Sequence, residues 1–206
     1  ATQNAGADAY NIAIGYNAGT AVTTGTLNTL IGGLAGDALT EGAANVAIGQ
    51  NALSSDTLGA RSIAIGRDAL KTQNFSSSVT NTFNIAIGDK AGEAVTTGVN
   101  NTLIGGLAGD AITTATDSVA LGYLALTSTT TGIRNHAIGR QSLHNNTTGA
   151  DNVGVGSSSL FANTTGFYNV AVGTDALVTN TTANNNTAVG YAALKLNTTG
   201  TGNAAV

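Results

Sequence analysis

The sequence predicts an all-β fold: a parallel β-roll, or solenoid, built from 17-residue coils with two short strands in each. Three observations carry that expectation. A glycine preceded by an aliphatic residue returns at Gly15, Gly32, Gly49, Gly66, Gly88, Gly105, Gly122, Gly139, Gly156, Gly173 and Gly190, and nine of the ten intervals are 17 residues, the other 22. The position before the glycine is aliphatic without a break, from Ile14 through Ile48, Ile104 and Val172 to Val206. The composition suits short strands and tight turns, with 28 Gly, no Pro, Cys, Met or Trp, and only 9% charged residues. A fixed period of this size marks a stacked array, in which one unit cannot bury its own apolar face and must use its neighbours.

The first element of each unit is a strand that ends at the repeat glycine. It opens on Asn, four residues before the glycine, in ten of twelve units, with Ser62 and Ser118 in the others. Its middle residue is small (Ala13, Ala47, Ala64, Gly154), apart from Leu30 and Leu103, and the residues on either side are mostly Val, Ile or Thr. A strand apolar on both alternating faces predicts burial on both. The second element, "xxAL" or "xxAG", reads as another short strand and lines up Leu53, Leu70, Leu126, Leu143, Leu160, Leu177 and Leu194 in a second apolar ladder. A turn then closes the coil at "TTG", residues 23, 96, 147, 164 and 198, where Gly is expected to supply positive φ.

These units form one repeat array over residues 1–206, about eleven coils, read as a fragment of a longer fibre. Stacked at ~4.8 Å per strand, the array is a rod on the order of 50 Å long. So thin a roll leaves a broad apolar face open to water. Three copies around an axis would cover it, so a homotrimer is expected.

The units "NVAIGQNAL" (45–53), "SIAIGRDAL" (62–70) and "NTAVGYAAL" (186–194) resemble the head repeats of trimeric autotransporter adhesins, the YadA-like head, and equally the repeat arrays of bacteriophage tail fibres. The resemblance runs over residues 11–206. It implies a left-handed roll, trimeric assembly, and a place on a bacterial or virion surface facing a receptor of protein or glycan. Adhesin heads typically use shorter coils; the 17-residue unit with "NTTG" is nearer the phage-type arrays. The family has no catalytic residues to carry over. Residues 11–40 match 84–113 at 24 of 30 positions, so a four-coil block with its insertion reads as duplicated, which suits a spacer.

The expected function is therefore a structural or adhesive segment of a trimeric surface fibre. A tail-fibre shaft acting only as a spacer is the alternative, and an ice-binding solenoid, suggested by the Thr-rich turns, is a second. A left-handed β-helix acyltransferase would need a six-residue aliphatic period, and the steps after Ile48 fall on Ser54 and Ala60 instead. No enzyme activity and no cofactor are expected. The net charge of −4 is scattered, with no basic stripe for nucleic acid. No apolar run approaches the ~20 residues of a membrane span, so segments for export or anchoring would lie outside this chain.

Candidate chemistry is sparse. His136 and His144 are the only histidines, and His136 stands in a column otherwise filled by Val, Ile or Thr, which reads as a tolerated strand residue. Asp37 and Asp110 occupy equivalent places in the duplicated "LAGDA", and "GGLAG" lacks the Lys-Ser/Thr of a phosphate-binding loop. The "NTT" sequons recur because the turn recurs. The one irregular segment is "KTQNFSSSVTNTF", residues 71–83. Aligning Asn81 with the turn glycine, at positive φ, puts five extra residues around Phe75, Ser76, Ser77 and Ser78. With Phe83, that loop is the candidate ligand contact or packed lateral knob.

Overall fold

The computed structural model describes residues 9–206; the array's predicted start at residue 1 lies outside them. The strands are β1 (Ile12–Ile14), β2 (Thr29–Ile31), β3 (Val46–Ile48), β4 (Gly59–Ala60), β5 (Ile63–Ile65), β6 (Thr80–Asn81), β7 (Ile85–Ile87), β8 (Thr102–Ile104), β9 (Val119–Leu121), β10 (His136–Ile138), β11 (Val153–Val155), β12 (Val170–Val172), β13 (Thr187–Val189) and β14 (Ala204–Ala205). Twelve of them stack in chain order into one parallel sheet, and β4 pairs with β6 in a second, two-stranded sheet. The result is an all-β parallel solenoid of about eleven turns, with no helix among the described residues. Register follows the glycine period: Val46, Ala47 and Ile48 face Ile63, Ala64 and Ile65, and Ile63 faces Ile85 across the long unit.

Burial alternates along each strand as the pleat requires. The middle residue points inward, so Leu30, Ala47, Ala64, Ala86, Leu103, Ala120 and Ala137 are buried. The residues on either side of it point out of the roll and stay half-buried or exposed. The sequence expectation of burial on both faces therefore holds for the inner face alone in a single chain.

Each turn of the roll contributes one strand to the main sheet, not two. The segment expected as a second strand is a run of tight turns, because left-handed residues recur two and four positions after the repeat glycine, as at Asn51 (φ 56) and Leu53 (φ 55). Alternating left-handed residues cannot extend a strand. The amides instead bond between coils, Leu53 N to Ala69 O at 3.0 Å and Leu70 N to Ala91 O at 3.1 Å. The apolar ladder is real nonetheless: Leu53, Leu70, Leu126, Leu143, Leu160 and Leu177 are fully buried. The left-handed conformation costs a residue with a Cβ about 1–2 kcal/mol. Burying a leucine side chain contributes about 1.5–3 kcal/mol, so packing wins narrowly.

The turn glycines are also needed for a different reason than expected. Gly25, Gly98, Gly149, Gly166 and Gly200 do not take positive φ. They lie where the chain closes on itself; a Cβ at Gly25 would run into the carbonyl oxygen of Gly42. Ala115 and Ala183 stand in the same column, so those two coils do take one methyl there. Positive φ belongs to the repeat glycine that ends the strand. At Gly105, φ is 134° and a Cβ would sit 2.6 Å from the Gly122 oxygen, so dihedral and space both demand glycine.

Asparagine ladders tie the coils together. The Asn45 amide nitrogen of the side chain donates to Gly59 O at 2.9 Å, while its Oδ1 accepts from the backbone N of Ser62 at 2.9 Å. The pattern runs on through Asn135, Asn152, Asn169 and Asn186, all buried. A second ladder explains the "NTT" runs: Asn163 and Asn180 donate from Nδ2 to the Oδ1 of the preceding Asn at 2.9 and 3.1 Å. Asn146, Asn163 and Asn180 are fully buried, so their Nδ2 atoms are closed to a glycan.

Candidate functional site

The insertion is the one place where the array leaves its period, and it departs in two steps. Leu58 N donates to Phe75 O at 2.9 Å, still 17 residues along. Gly59 then pairs with Thr80, 21 along, and Ile63 with Ile85, 22 along. Four extra residues, Ser76 to Val79, form the excursion, and the fifth is Thr82, a bulge between Asn81 and Phe83. Asn81 is thus a strand residue facing Ala60, without positive φ, and Phe83 (φ 49) takes the left-handed place that Arg61 (φ 63) holds one coil earlier. The alignment of Asn81 with the turn glycine is corrected: counting back from the strand cannot see a bulge.

Phe75 is half-buried and anchored through its backbone, its N donating to Asp56 Oδ1 at 3.1 Å and its O accepting from Thr57 Oγ1 at 3.0 Å. Ser76, Ser77 and Ser78 are exposed, as is Val79. Phe83 is exposed on the surface, with the Arg61 guanidinium 5.9 Å above its ring. Arg61 Nε also donates to Asn81 Oδ1 at 3.0 Å. The loop is therefore a lateral projection while β5 and β7 keep their register beside it.

Beneath it lies a buried polar cluster that the sequence reading missed. Asp56 Oδ2 accepts from Gln73 Nε2 at 2.6 Å, and its Oδ1 from Gly59 N at 3.0 Å. Gln73 also donates to Ser62 Oγ (2.9 Å) and accepts from Asn84 Nδ2 (2.9 Å), and the Ser62 and Thr82 hydroxyls meet at 2.5 Å. Burial pushes the Asp56 carboxyl up, with the bonds from Gln73, Phe75 and Gly59 acting against that. Asp56 is fully buried and its carboxyl accepts from Gln73, Phe75, Gly59 and the Thr57 backbone, so no lone pair is open to a substrate and the cluster holds the loop in place. The signal in the sequence was Asp56 and Gln73 in a column that reads Val22, Leu39, Val95 and Ile112 in the duplicated blocks.

The remaining candidates are scattered. His136 faces outward from β10, exposed. His144 stacks on Phe161 with ring centroids 4.9 Å apart, in a different column. Asp110 is bonded to Thr127 Oγ1 one coil on, whereas Asp37, facing Ser54 by the same register, has a buried Oδ1 without a partner. Burial raises both carboxyls. Arg67, Lys71 and Lys90 pair with Asp68, Asp89 and Glu93 in a surface network spanning two coils. Among the described residues, no group of three or more His, Cys, Asp or Glu could hold a metal within one chain. No helix is long and apolar enough to cross a membrane.

Comparison of the chain with family models, with curated proteins and with solved structures found no match.

Proposed function

We propose that the chain is a structural and adhesive segment of a homotrimeric surface fibre, wound as a left-handed roll of 17-residue coils like the YadA-like and tail-fibre arrays its repeats resemble. It presents a rigid, regularly spaced surface to a receptor and carries no catalysis. The observation that supports this best is the outward face of the main sheet. Ile48, Ile65, Ile87, Ile104 and Val155 form one half-buried aliphatic column there, and Val46, Ile63, Ile85, Val119 and Val153 form another. Twelve strands at ~4.8 Å and a three-residue width of ~10 Å give an apolar stripe on the order of 500 Å². The largest apolar patch of a monomer is about 300–600 Å² and often an interaction site, so a stripe of this size suits the apolar centre of an interface that buries about 800 Å² per partner. The surface that matches a ladder of this rise along its whole length is another ladder of the same rise, hence a second and third copy in parallel.

Light scattering on the chain should report about three copies. Ile104→Glu, on the outward column, should give single chains that keep their β-sheet circular dichroism, whereas Leu103→Glu, one residue away but fully buried, should abolish folding. A stable, soluble single chain without substitution would overturn the assembly.

A further inference from the structure

We propose that three copies packed through this face bring their His136 imidazoles together into a site for one divalent transition-metal cation of the zinc or nickel kind. The inference rests on the three-chain reading above. His136 opens β10 in an outward column whose neighbours in register are Val119 and Val153. Within the chain it is exposed, and its ring has no hydrogen-bond or ion-pair partner. Covering the face with apolar side chains would leave the ring nitrogens unpaired, at a cost of about 1–3 kcal/mol for each buried polar group.

Rotation about an axis parallel to the rod places equivalent coils at the same height, so the three His136 rings share one level and converge when their column lines the axis, as this proposal requires. One chain supplies a single ligand, and the site is incomplete without its partners. Three neutral imidazoles with a fourth, open position for water suit Zn²⁺ or Ni²⁺. Ile138, two residues on and facing the same way, gives an apolar collar. Arg134, two residues before, is held by Asp151 through Nε–Oδ1 at 2.6 Å and a second contact at 2.9 Å, so its charge is neutralised in the next coil. The metal is not needed for folding, because the coils on either side stack through their own ladders.

The test is titration of the assembled chain with Zn²⁺ and, for a visible spectrum, with Co²⁺. One metal per three chains is expected, with the absorption of a nitrogen-ligated Co²⁺ centre. His136→Val, the residue of the neighbouring coils, should keep the three-chain assembly and lose the metal, and His144→Ala should keep both. A chelator should strip the metal and leave the assembly intact. An assembled trimer that binds no metal at that ratio, or binding that survives His136→Val, overturns the site alone. A chain that stays single overturns the site together with the reading beneath it.

Discussion

Gly36 has no side chain because Leu30 fills the space: a Cβ at residue 36 would lie 2.8 Å from Leu30 Cδ2 and 2.9 Å from Leu39 Cδ1. The same exchange recurs at Gly109, beside Leu103 and Ile112. Where the inward strand residue is Leu, the neighbouring ladder position is Gly and an aliphatic residue follows three later; where it is Ala or Gly beside ladder leucines, Asp, Gln, Thr or Asn follows. Gly154 makes room in the same way for Ser142 Oγ and Ser159 Oγ, which bond to each other at 2.8 Å. The core conserves volume across coils, not residue by residue.

Leu30→Ala should therefore cost about 2–5 kcal/mol through the cavity it opens. Gly36→Leu alone should also destabilise, by overpacking. The pair together should lose less than the sum of the two, because the added leucine occupies the vacated space. A double-mutant cycle from urea unfolding measures this; strict additivity would mean that the two sites do not share volume.

Asn152 sits in the middle of the longer asparagine ladder, its Nδ2 donating to Gly166 O at 2.8 Å and its Oδ1 accepting from Asn169 N at 3.0 Å. Asn152→Ala leaves the buried Asn169 N without an acceptor, while Gly166 O keeps its bond from Asn163 Nδ2, and should cost about 1–3 kcal/mol. Asn152→Ser should cost less, since Ser118 fills this place elsewhere and its Oγ accepts from Asn135 N. Thermal denaturation of the three proteins ranks them, and equal losses for Ser and Ala would remove the ladder's acceptor role.

Deleting Ser76 to Val79 should leave the array folded, because Phe75 keeps its bonds to Asp56 and Leu58 and β5 stays paired with β7. A melting midpoint close to the parent's is expected. Loss of cooperative unfolding would make the loop part of the core. Retained folding with lost attachment to a target surface would assign the loop to binding, not to a lateral knob.

Asp37 offers a pH test. Burial raises its carboxyl in the folded chain, so the folded state holds the proton more tightly than the unfolded one. Its contribution is fully present below the unfolded carboxylate range and is lost as pH rises through the raised value. Asp37→Asn, neutral at every pH, should stabilise the chain by about 1 kcal/mol at pH 7. The gain should vanish in acid. Denaturant melts at pH 7 and pH 3 check it; an equal effect at both would mean that the charge is not what matters.

The array, its register and its core columns were legible in the sequence. A parallel stack places each residue beside its counterpart in the next coil, so periodicity in sequence becomes adjacency in space. Gly105 and Ile104 could be assigned to their roles from their columns alone. What only the tertiary structure decided are the features that depend on backbone dihedrals and on how space is shared between coils. Leu53 in a left-handed conformation is invisible to propensity, which gives leucine no such preference, and burial overrides it. The bulge at Thr82 is one of the five residues that lengthen the interval between Gly66 and Gly88 to 22, and the interval alone does not say where in the unit that residue falls. Asp56 and Gln73 looked like two polar exceptions until stacking brought them together with Ser62, Thr82 and Asn84. The outward position of His136 followed from the pleat, but its exposure was set by what a single roll leaves uncovered.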